Sequence, residues 1–427
     1  MTEKVLAVAI LVIVYVLILS RKVHRTTAVL LGSVLVVGSG ILHENEVLDV
    51  VQWEALSLIF GMFVLVSALS KSGFFRWIGL HALKWSHFQP LRLFVAFSAL
   101  SAFLAAFMDS ITVMVFMSSL TIEVCRALGL HPAPFLIAEI TSANIGGAAT
   151  MVGDPPNVIL GTGLGFTFGD FVSNTGLIAV AVFLVNLGFL GYLMKRRGEA
   201  RMPFDAEALE KEHAELDPAS AIKDLRLLRV SLMVFAFTVT LLVIHHLLDL
   251  LVAFVAVLGA TLVLILGGKD MPELVEKIDW HTLLFLAGLF VVVGGLDKSG
   301  VLKDLAGWIA ASGGNNLPVL LTMILWISAL MSSVLDNVPF AAAMVPILRD
   351  LSSNGALPLA PLTWSAALGA DIGGNATPIG ASANVVGLAV AEKHGVQIGW
   401  KAYMRTAVPA TLLSILVANA LLLLLYR

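Results

Sequence analysis

The stretch Asn144-Ile-Gly-Gly-Ala-Ala-Thr-Met-Val-Gly-Asp-Pro-Pro-Asn157 interrupts an apolar segment, residues 134–161, that is long enough to cross a bilayer. Adjacent prolines and clustered glycines cannot continue a helix. Proline lacks the amide hydrogen and clashes with the preceding turn, and glycine carries a large entropic cost. Inside a membrane the freed backbone groups must still be satisfied. The segment is therefore expected to be a broken span whose unwound middle is buried in protein. The same stretch returns 227 residues later as Asp371-Ile-Gly-Gly-Asn-Ala-Thr-Pro-Ile-Gly-Ala-Ser-Ala-Asn384, within residues 360–388.

Outward from these breaks, the offset of 227 holds without a gap from residues 53–157 to residues 280–384. Trp53 pairs with Trp280, Lys71-Ser72-Gly73 with Lys298-Ser299-Gly300, Asp109 with Asp336, and Asn157 with Asn384. Coincident Leu, Val and Ala would mean little between two apolar stretches. Coincident Trp, Lys, Asp and Asn indicate a duplicated unit. The composition agrees on the class: of 427 residues, 59% are apolar or aromatic and only 13% are charged, against about 25% charged in an average soluble protein. Mean hydropathy is +0.95. An ordinary soluble enzyme, a disordered chain and a nucleic-acid-binding chain are excluded, and an all-α polytopic membrane protein is expected. The net charge of −3 says nothing about partners, and a single cysteine, Cys125, rules out an intrachain disulfide.

Counting crossings fixes the expected topology. Simple spans fall at about 4–20, 26–42, 56–71 and 172–194 in the first unit, and at 227–246, 250–267, 282–297 and 404–426 in the second. A basic cluster (Arg21, Lys22, Arg25) follows residues 5–19 instead of preceding them, so this stretch reads as a retained span and not a signal peptide. Residues 91–128 and 318–351 are too long for one span and carry central breaks at Met108-Asp109-Ser110 and Asp336-Asn337, as re-entrant helical hairpins would. Residues 74–86 and 302–311 read as interfacial helices, the first with Phe74, Trp77, Ile78 and Trp85 on one side and Arg76 on the other. With the broken spans 134–161 and 360–388, each unit crosses five times, so the two units are inverted, as in many secondary transporters. The expected organisation is a first repeat at 1–194, a linker at 195–229 and a second repeat at 230–427. The side holding both termini then receives Lys4, Lys298, Lys303, Arg349 and Arg427, and the other 21 of the 26 lysines and arginines lie on the linker side. The positive-inside rule makes the linker cytoplasmic and both termini periplasmic or extracellular, in a plasma (inner) membrane.

Almost all the intramembrane polarity lies in the hairpin breaks and the broken spans. Intramembrane carboxylates are costly and mark ion paths, and broken helices expose carbonyl and N–H groups to a solute. The candidate substrate- or ion-binding residues are Asp109 and Ser110, Asn144, Gly146, Gly147, Thr150, Asp154 and Asn157 in the first repeat. In the second they are Asp336 and Asn337, Asp371, Gly373, Gly374, Asn375, Thr377 and Asn384. The competing reading, that the glycines only let helices pack closely, explains the Gly but not Asp-Pro-Pro-Asn. Asp154 is either a site ligand or a helix N-cap. Symmetry predicts that Asp109 and Asp336 approach the midplane from opposite sides. Glu139 could carry a proton or face solvent, and Glu123 belongs near the cytoplasmic interface. His245-His246 reads as interfacial and Cys125 as a packing residue. The four segments contain no Lys or Arg, which predicts a site of fixed acids suited to a cation, a proton or a neutral polar solute.

Ser142-Ala-Asn-Ile-Gly-Gly-Ala-Ala-Thr-Met-Val-Gly-Asp-Pro-Pro-Asn157 and Gly373-Gly-Asn-Ala-Thr-Pro-Ile-Gly380 resemble the ion transporter superfamily. Within it they resemble the ArsB/NhaD branch of arsenite permeases, Na⁺/H⁺ antiporters and P-protein-like permeases. The resemblance implies an elevator-type secondary transporter, with arsenite or antimonite efflux as the first expectation and Na⁺/H⁺ antiport as the alternative. In the superfamily's dicarboxylate branch each hairpin tip carries Ser-Asn-Thr. The tips here read Asp109-Ser110-Ile111 and Asp336-Asn337-Val338, which ranks carboxylate or citrate transport lower, beside a passive channel. No cofactor is implied. The coupling ion is H⁺ or Na⁺, and no resident metal is expected beyond Na⁺ at the Asp/Asn breaks. The expected partners are the lipid bilayer, a small inorganic solute or cation, a second copy as a homodimer and, because the chain has no Gly-x4-Gly-Lys-Ser/Thr, a separate ATPase subunit if ATP is used. No nucleic acid is expected, and no Ser/His/Asp or His-Glu-x-x-His constellation suggests an enzyme.

Overall fold

The computed structural model describes every residue except 1, 21, 199–217, 269–271, 277, 315, 356 and 427. The middle of the expected linker thus lies outside the described residues. All described regular structure is helical, and seven of the described helices are long and apolar enough to cross a membrane. The chain is an all-α polytopic membrane protein built from two inverted repeats.

Local sequence accounts for the breaks. In the first hairpin, Pro90 opens the arm Pro90–Ala105, where its missing N–H costs nothing. Asp109 then caps the return arm Ser110–Ala127, accepting from the backbone N–H of Ile111 at 2.9 Å and of Thr112 at 3.1 Å. The second hairpin comprises Leu317–Val334 and Asn337–Gly355, turning at Leu335 and Asp336. The first broken span consists of Ala133–Gly147 and Pro155–Leu164, with both prolines at the start of the second half-helix. The second consists of Leu359–Gly373 and Ser382–Lys393, joined by a short 3₁₀ turn.

The repeats interlock. Within each, the first hairpin arm packs on the first half of its own broken span: Pro90–Ala105 on Ala133–Gly147, and Leu317–Val334 on Leu359–Gly373. The return arms pack crosswise, Ser110–Ala127 against Ser382–Lys393 and Asn337–Gly355 against Pro155–Leu164. Outside this core, Trp53–Ser72 packs on Val252–Leu266, and Trp280–Lys298 on Arg25–Gly38. These contacts are related in pairs by the 227-residue offset, as an approximate two-fold axis between inverted repeats requires.

Polar ties close the two sides separately. Lys4 bonds Asp304 at 2.5 Å and Lys298 bonds Glu46 on the termini side; Lys71 meets Glu273 at 3.2 Å and Arg76 meets Glu123 at 2.7 Å on the linker side. Arg76 precedes the first hairpin and Glu123 lies near its end, so their pairing fits a hairpin that returns to the side it entered. The helix Phe74–Trp85 differs from expectation. Its inner face is Phe74, Phe75, Gly79, Leu80 and Leu83, whereas Trp85 is exposed. Packing beneath it rotates the buried stripe away from the one suggested by its tryptophans.

Candidate functional site

The two hairpin tips meet at Asp154. Ser110 Oγ donates to Asp154 Oδ1 at 2.9 Å, and Asn337 Nδ2 donates to Asp154 Oδ2 at 3.0 Å. Ser110 and Asn337 occupy the same position in the two repeats, so one carboxylate is held by both tips. Asp154 stands at the N-cap position of Pro155–Leu164 but makes no capping bond, because its oxygens are turned to the tips. Asp371, fully buried, lies beside Asp154, Asn157 and Asn337. Among the described residues, neither of its carboxyl oxygens has a partner in good hydrogen-bonding geometry, although the Asn157 and Asn337 amides lie near it. Burying unpaired carboxyl groups side by side costs several kcal/mol (~3–5 kcal/mol per broken pair). A proton or a hard monovalent cation between them offsets that cost, and oxygen-only donors suit such an ion.

The pseudo-equivalent position is built from amides. Asn144 Nδ2 donates to Asn375 Oδ1 at 2.7 Å and to Asn384 Oδ1 at 2.8 Å. Asn384 Nδ2 returns to its own break, bonding the carbonyls of Gly374 and Thr377 at 2.7 Å each. Asn157 does the same in the first repeat, bonding Gly147 O at 3.0 Å and Thr150 O at 3.1 Å. Thr150 Oγ1 bonds Ala106 O, and Thr377 Oγ1 bonds Ser333 O at 2.6 Å, tying each break to its own hairpin. Gly146, Gly147, Gly373 and Gly374 lie at the ends of the half-helices and are buried there. Thus Ser110, Asp154, Asn337 and Asp371 converge on one acidic centre, Asn144, Asn375 and Asn384 form a separate amide cluster, and Asn157, Thr150 and Thr377 brace the breaks.

Asp109 and Asp336 do not share one environment. Asp109 is occupied by its own helix and touches a small void lined otherwise by apolar residues. Asp336 pairs with Arg25 at 3.1 Å. Arg25 also donates to Ser382 Oγ and to Thr282 Oγ1, each at 3.1 Å, and lies 5.2 Å from the centre of the Phe285 ring. The expectation of a site without fixed cations is therefore wrong. The four polar segments contain no Lys or Arg, but Arg25 is brought in from the second span. The first turn of a helix disfavours a cation, so its position at the start of Arg25–Gly38 was the available hint of an acidic partner. Ser382 and Thr282 were missed as well.

A cavity of about 670 Å³ is lined by Lys22, His24, Arg25, Asp279, Asp336 and Ser382, among others. A second void of about 20 Å³ shares Arg25, Ile111, Phe285 and Ser382 with it and reaches Asp154 and Asn337. The smaller void has room for about one water-sized species. Their shared lining leads from the linker-side ends of the first spans to Asp154 and Asn337.

The remaining candidates fall elsewhere. Glu139 is buried, accepting from Thr121 Oγ1 at 2.5 Å with its second oxygen unpartnered. Glu123 is held by Arg76 on the linker side, His245 bonds Leu250 O at 2.8 Å, and Cys125 is buried. Among the described residues, no three His, Cys, Asp or Glu side chains converge as metal ligands.

Arg25→Gln provides a test of the ion pair. The partners' side chains are 28% and 22% exposed. Scaling between exposed and buried pairs, we expect a loss of about 1–2 kcal/mol of stability. A double-mutant cycle with Asp336→Asn, followed by thermal unfolding in detergent, should recover most of that as coupling energy. Strictly additive losses would show that the pair contributes nothing.

Residues 15–369 match the model of the CitMHS citrate transporter family. An uncharacterized transporter of Mycobacterium bovis is 35% identical over 424 residues, covering 97% of this chain and 96% of that protein. The 46 kDa membrane protein of Mycobacterium leprae is 34% identical over 430 residues, covering 99% of each. The human P protein is 31% identical over 501 residues, covering 99% of this chain and 60% of its own length. Among solved structures, the Alcanivorax borkumensis YdaH transporter aligns over 88% of this chain and 86% of its own, with TM-score 0.57 and 15% identity. Neisseria gonorrhoeae MtrF, described as illuminating a class of antimetabolite efflux pumps, aligns over 86% and 80% with TM-score 0.54 and 15% identity. At that identity the structural likeness speaks for the fold alone.

Proposed function

Because the chain belongs to the CitMHS citrate transporter family of the ion transporter superfamily, and so is a membrane transporter and not an enzyme, we propose that it is a secondary active transporter driven by a cation bound at Asp154 and Asp371. The observation that carries this reading is the acidic centre itself: two neighbouring buried carboxyl groups, one held by both hairpin tips and one with no well-formed hydrogen bond among the described residues. Alternating binding of H⁺ and Na⁺ at one carboxyl pair is the chemistry of exchange, so Na⁺/H⁺ antiport is the first reading. Arsenite or antimonite efflux ranks below it. The amide nitrogens of Asn144, Asn375 and Asn384 that would donate to a neutral trihydroxide already donate to one another, to Thr141 O or to their own break, which leaves Asn144 Oδ1 as the unpartnered oxygen of the cluster among the described residues. Uptake of a small carboxylate is the second reading. It is favoured by Arg25 facing a cavity of about 670 Å³ and by the family's name. A guanidinium recognises a carboxylate through paired N–H donors, and here it would exchange Asp336 for the solute.

In this scheme the hairpins and broken spans form a core that moves against the outer spans, elevator fashion, carrying the acidic centre between the two faces. The linker side is cytoplasmic and both termini lie outside, in the plasma membrane. A cysteine placed at residue 223 should resist an impermeant thiol reagent in whole cells and react in inverted vesicles. Labelling from outside would reverse the orientation. Inverted vesicles also test the function, with Na⁺, arsenite and citrate each supplied under an imposed pH gradient. We expect Na⁺-dependent proton movement. Citrate accumulation without Na⁺/H⁺ exchange would promote the second reading, and arsenite accumulation would restore the efflux reading. Downhill flux of any solute with no uphill accumulation would indicate a channel.

A further inference from the structure

We propose that a second cavity, about 220 Å³ on the linker side, is a binding site for the headgroup of an anionic phospholipid. It lies between the base of the first hairpin, the start of the first broken span and the facing ends of the helices Leu177–Arg196 and Trp400–Leu425. Its lining has no residue in common with the cavity at Asp336. The polar rim is His131, Arg197, Gln397 and Thr406, and the floor is apolar, with Phe94 and Leu190. No acidic side chain is among the described residues that line it.

Charge and depth argue together for a lipid. Arg197 is tethered by one bond, from Nη1 to Thr406 Oγ1 at 2.9 Å, which orients the guanidinium at the rim. His131 Nδ1 accepts the backbone N–H of Ala133 at 3.3 Å, so the neutral ring carries its proton on Nε2, as a donor. Lys195 and Arg196 precede Arg197, while Lys401 and Arg405 flank Ala402 and Thr406 of the lining on the opposite helix. Trp400, half exposed at the start of that helix, marks the depth of the headgroups. Basic pockets between spans at this depth suit anionic headgroups. A free phosphate would satisfy the rim but leave the apolar floor wet, whereas a phospholipid covers both.

The test uses the full-length chain purified in detergent. Its thermal unfolding is followed with phosphatidylglycerol, phosphatidylcholine or inorganic phosphate added. Phosphatidylglycerol should raise the midpoint by about 3–5 °C, the shift given by a ligand well above its Kd in a chain of this size. Phosphatidylcholine and phosphate should leave it within a degree or so. Arg197→Gln combined with His131→Gln should remove at least half of the phosphatidylglycerol shift, and Lys303→Gln on the termini side should keep it. His131→Gln alone leaves the Arg197–Thr406 bond in place and serves if the double variant does not fold; it should reduce the shift. An equal shift with phosphate would assign the site to free anions, and an equal shift with phosphatidylcholine would make it a purely apolar groove. An undiminished shift in the variants would place the lipid elsewhere. Any of these results, or no shift with phosphatidylglycerol, overturns the proposal.

Discussion

Asp154→Asn should lower transport at least about 100-fold, a change of roughly 2.7 kcal/mol or more, with near-wild-type amounts of folded protein in the membrane. The amide is the same size and keeps an oxygen that can accept from Ser110 Oγ or Asn337 Nδ2, whose bonds to the carboxylate are 2.9 and 3.0 Å. What it loses is the charge that a coupling cation meets between the two tips. Asp371→Asn should behave alike, because no well-formed hydrogen bond or ion pair among the described residues uses its charge. Asp109→Asn is the contrast. Asp109 is occupied as an N-cap by both oxygens, Oδ1 accepting from Ile111 and Oδ2 from the Thr112 N–H and hydroxyl, and asparagine keeps only one acceptor; stability should therefore fall by about 1–2 kcal/mol while transport falls by no more than a few-fold. Vesicle flux measured beside membrane abundance separates the cases. If Asp154→Asn transports normally while Asp109→Asn is dead, the ion path runs through the first hairpin's cap and not through the meeting of the tips.

Gly146→Ala and Gly373→Ala should each damage the fold severely, because each adds a methyl where a hairpin arm meets its broken span backbone to backbone. A Cβ on Gly146 would lie 2.1 Å from Ala102 O, and one on Gly373 would lie 2.2 Å from Ala329 Cα. Both neighbours are backbone, so no rotamer change relieves the contact and two helices must separate. Overpacking costs about 1–3 kcal/mol, and a backbone neighbour puts these sites at or above the upper end. The expected result is a sharp fall in monodisperse protein and a lower unfolding temperature, and trimming Ala102 to Gly should not rescue Gly146→Ala. Gly188→Ala is the control: its Cβ would meet nothing within 4 Å, and alanine favours the helix there. If all three variants behave alike, the close approach of each hairpin to its broken span is not what holds the core.

The sequence determined a good deal by itself. The broken spans follow from Pro155, Pro156 and Pro378 with their glycines, because what breaks a helix acts within one turn of it. The hairpin turns at Asp109 and Asp336 are equally local, and the constant offset of 227 residues exposed the duplication. Five crossings per unit then forced the inversion. Only the tertiary structure decided which polar groups meet. Asp154 is bonded to Asn337, 183 positions away, and Asp336 to Arg25, 311 positions away. No local rule reaches that far. The repeat also hid what matters chemically, since symmetry predicts equal partners where the residues differ. Ala381 stands opposite Asp154, Asn144 opposite Asp371 and Val252 opposite Arg25. The backbone repeats because both units must solve the same problem of satisfying broken helices in lipid. The charges do not repeat, because a buried carboxylate is tolerated only where packing brings it a donor, a cation or a proton, and crosswise packing of the two repeats supplies different neighbours to each.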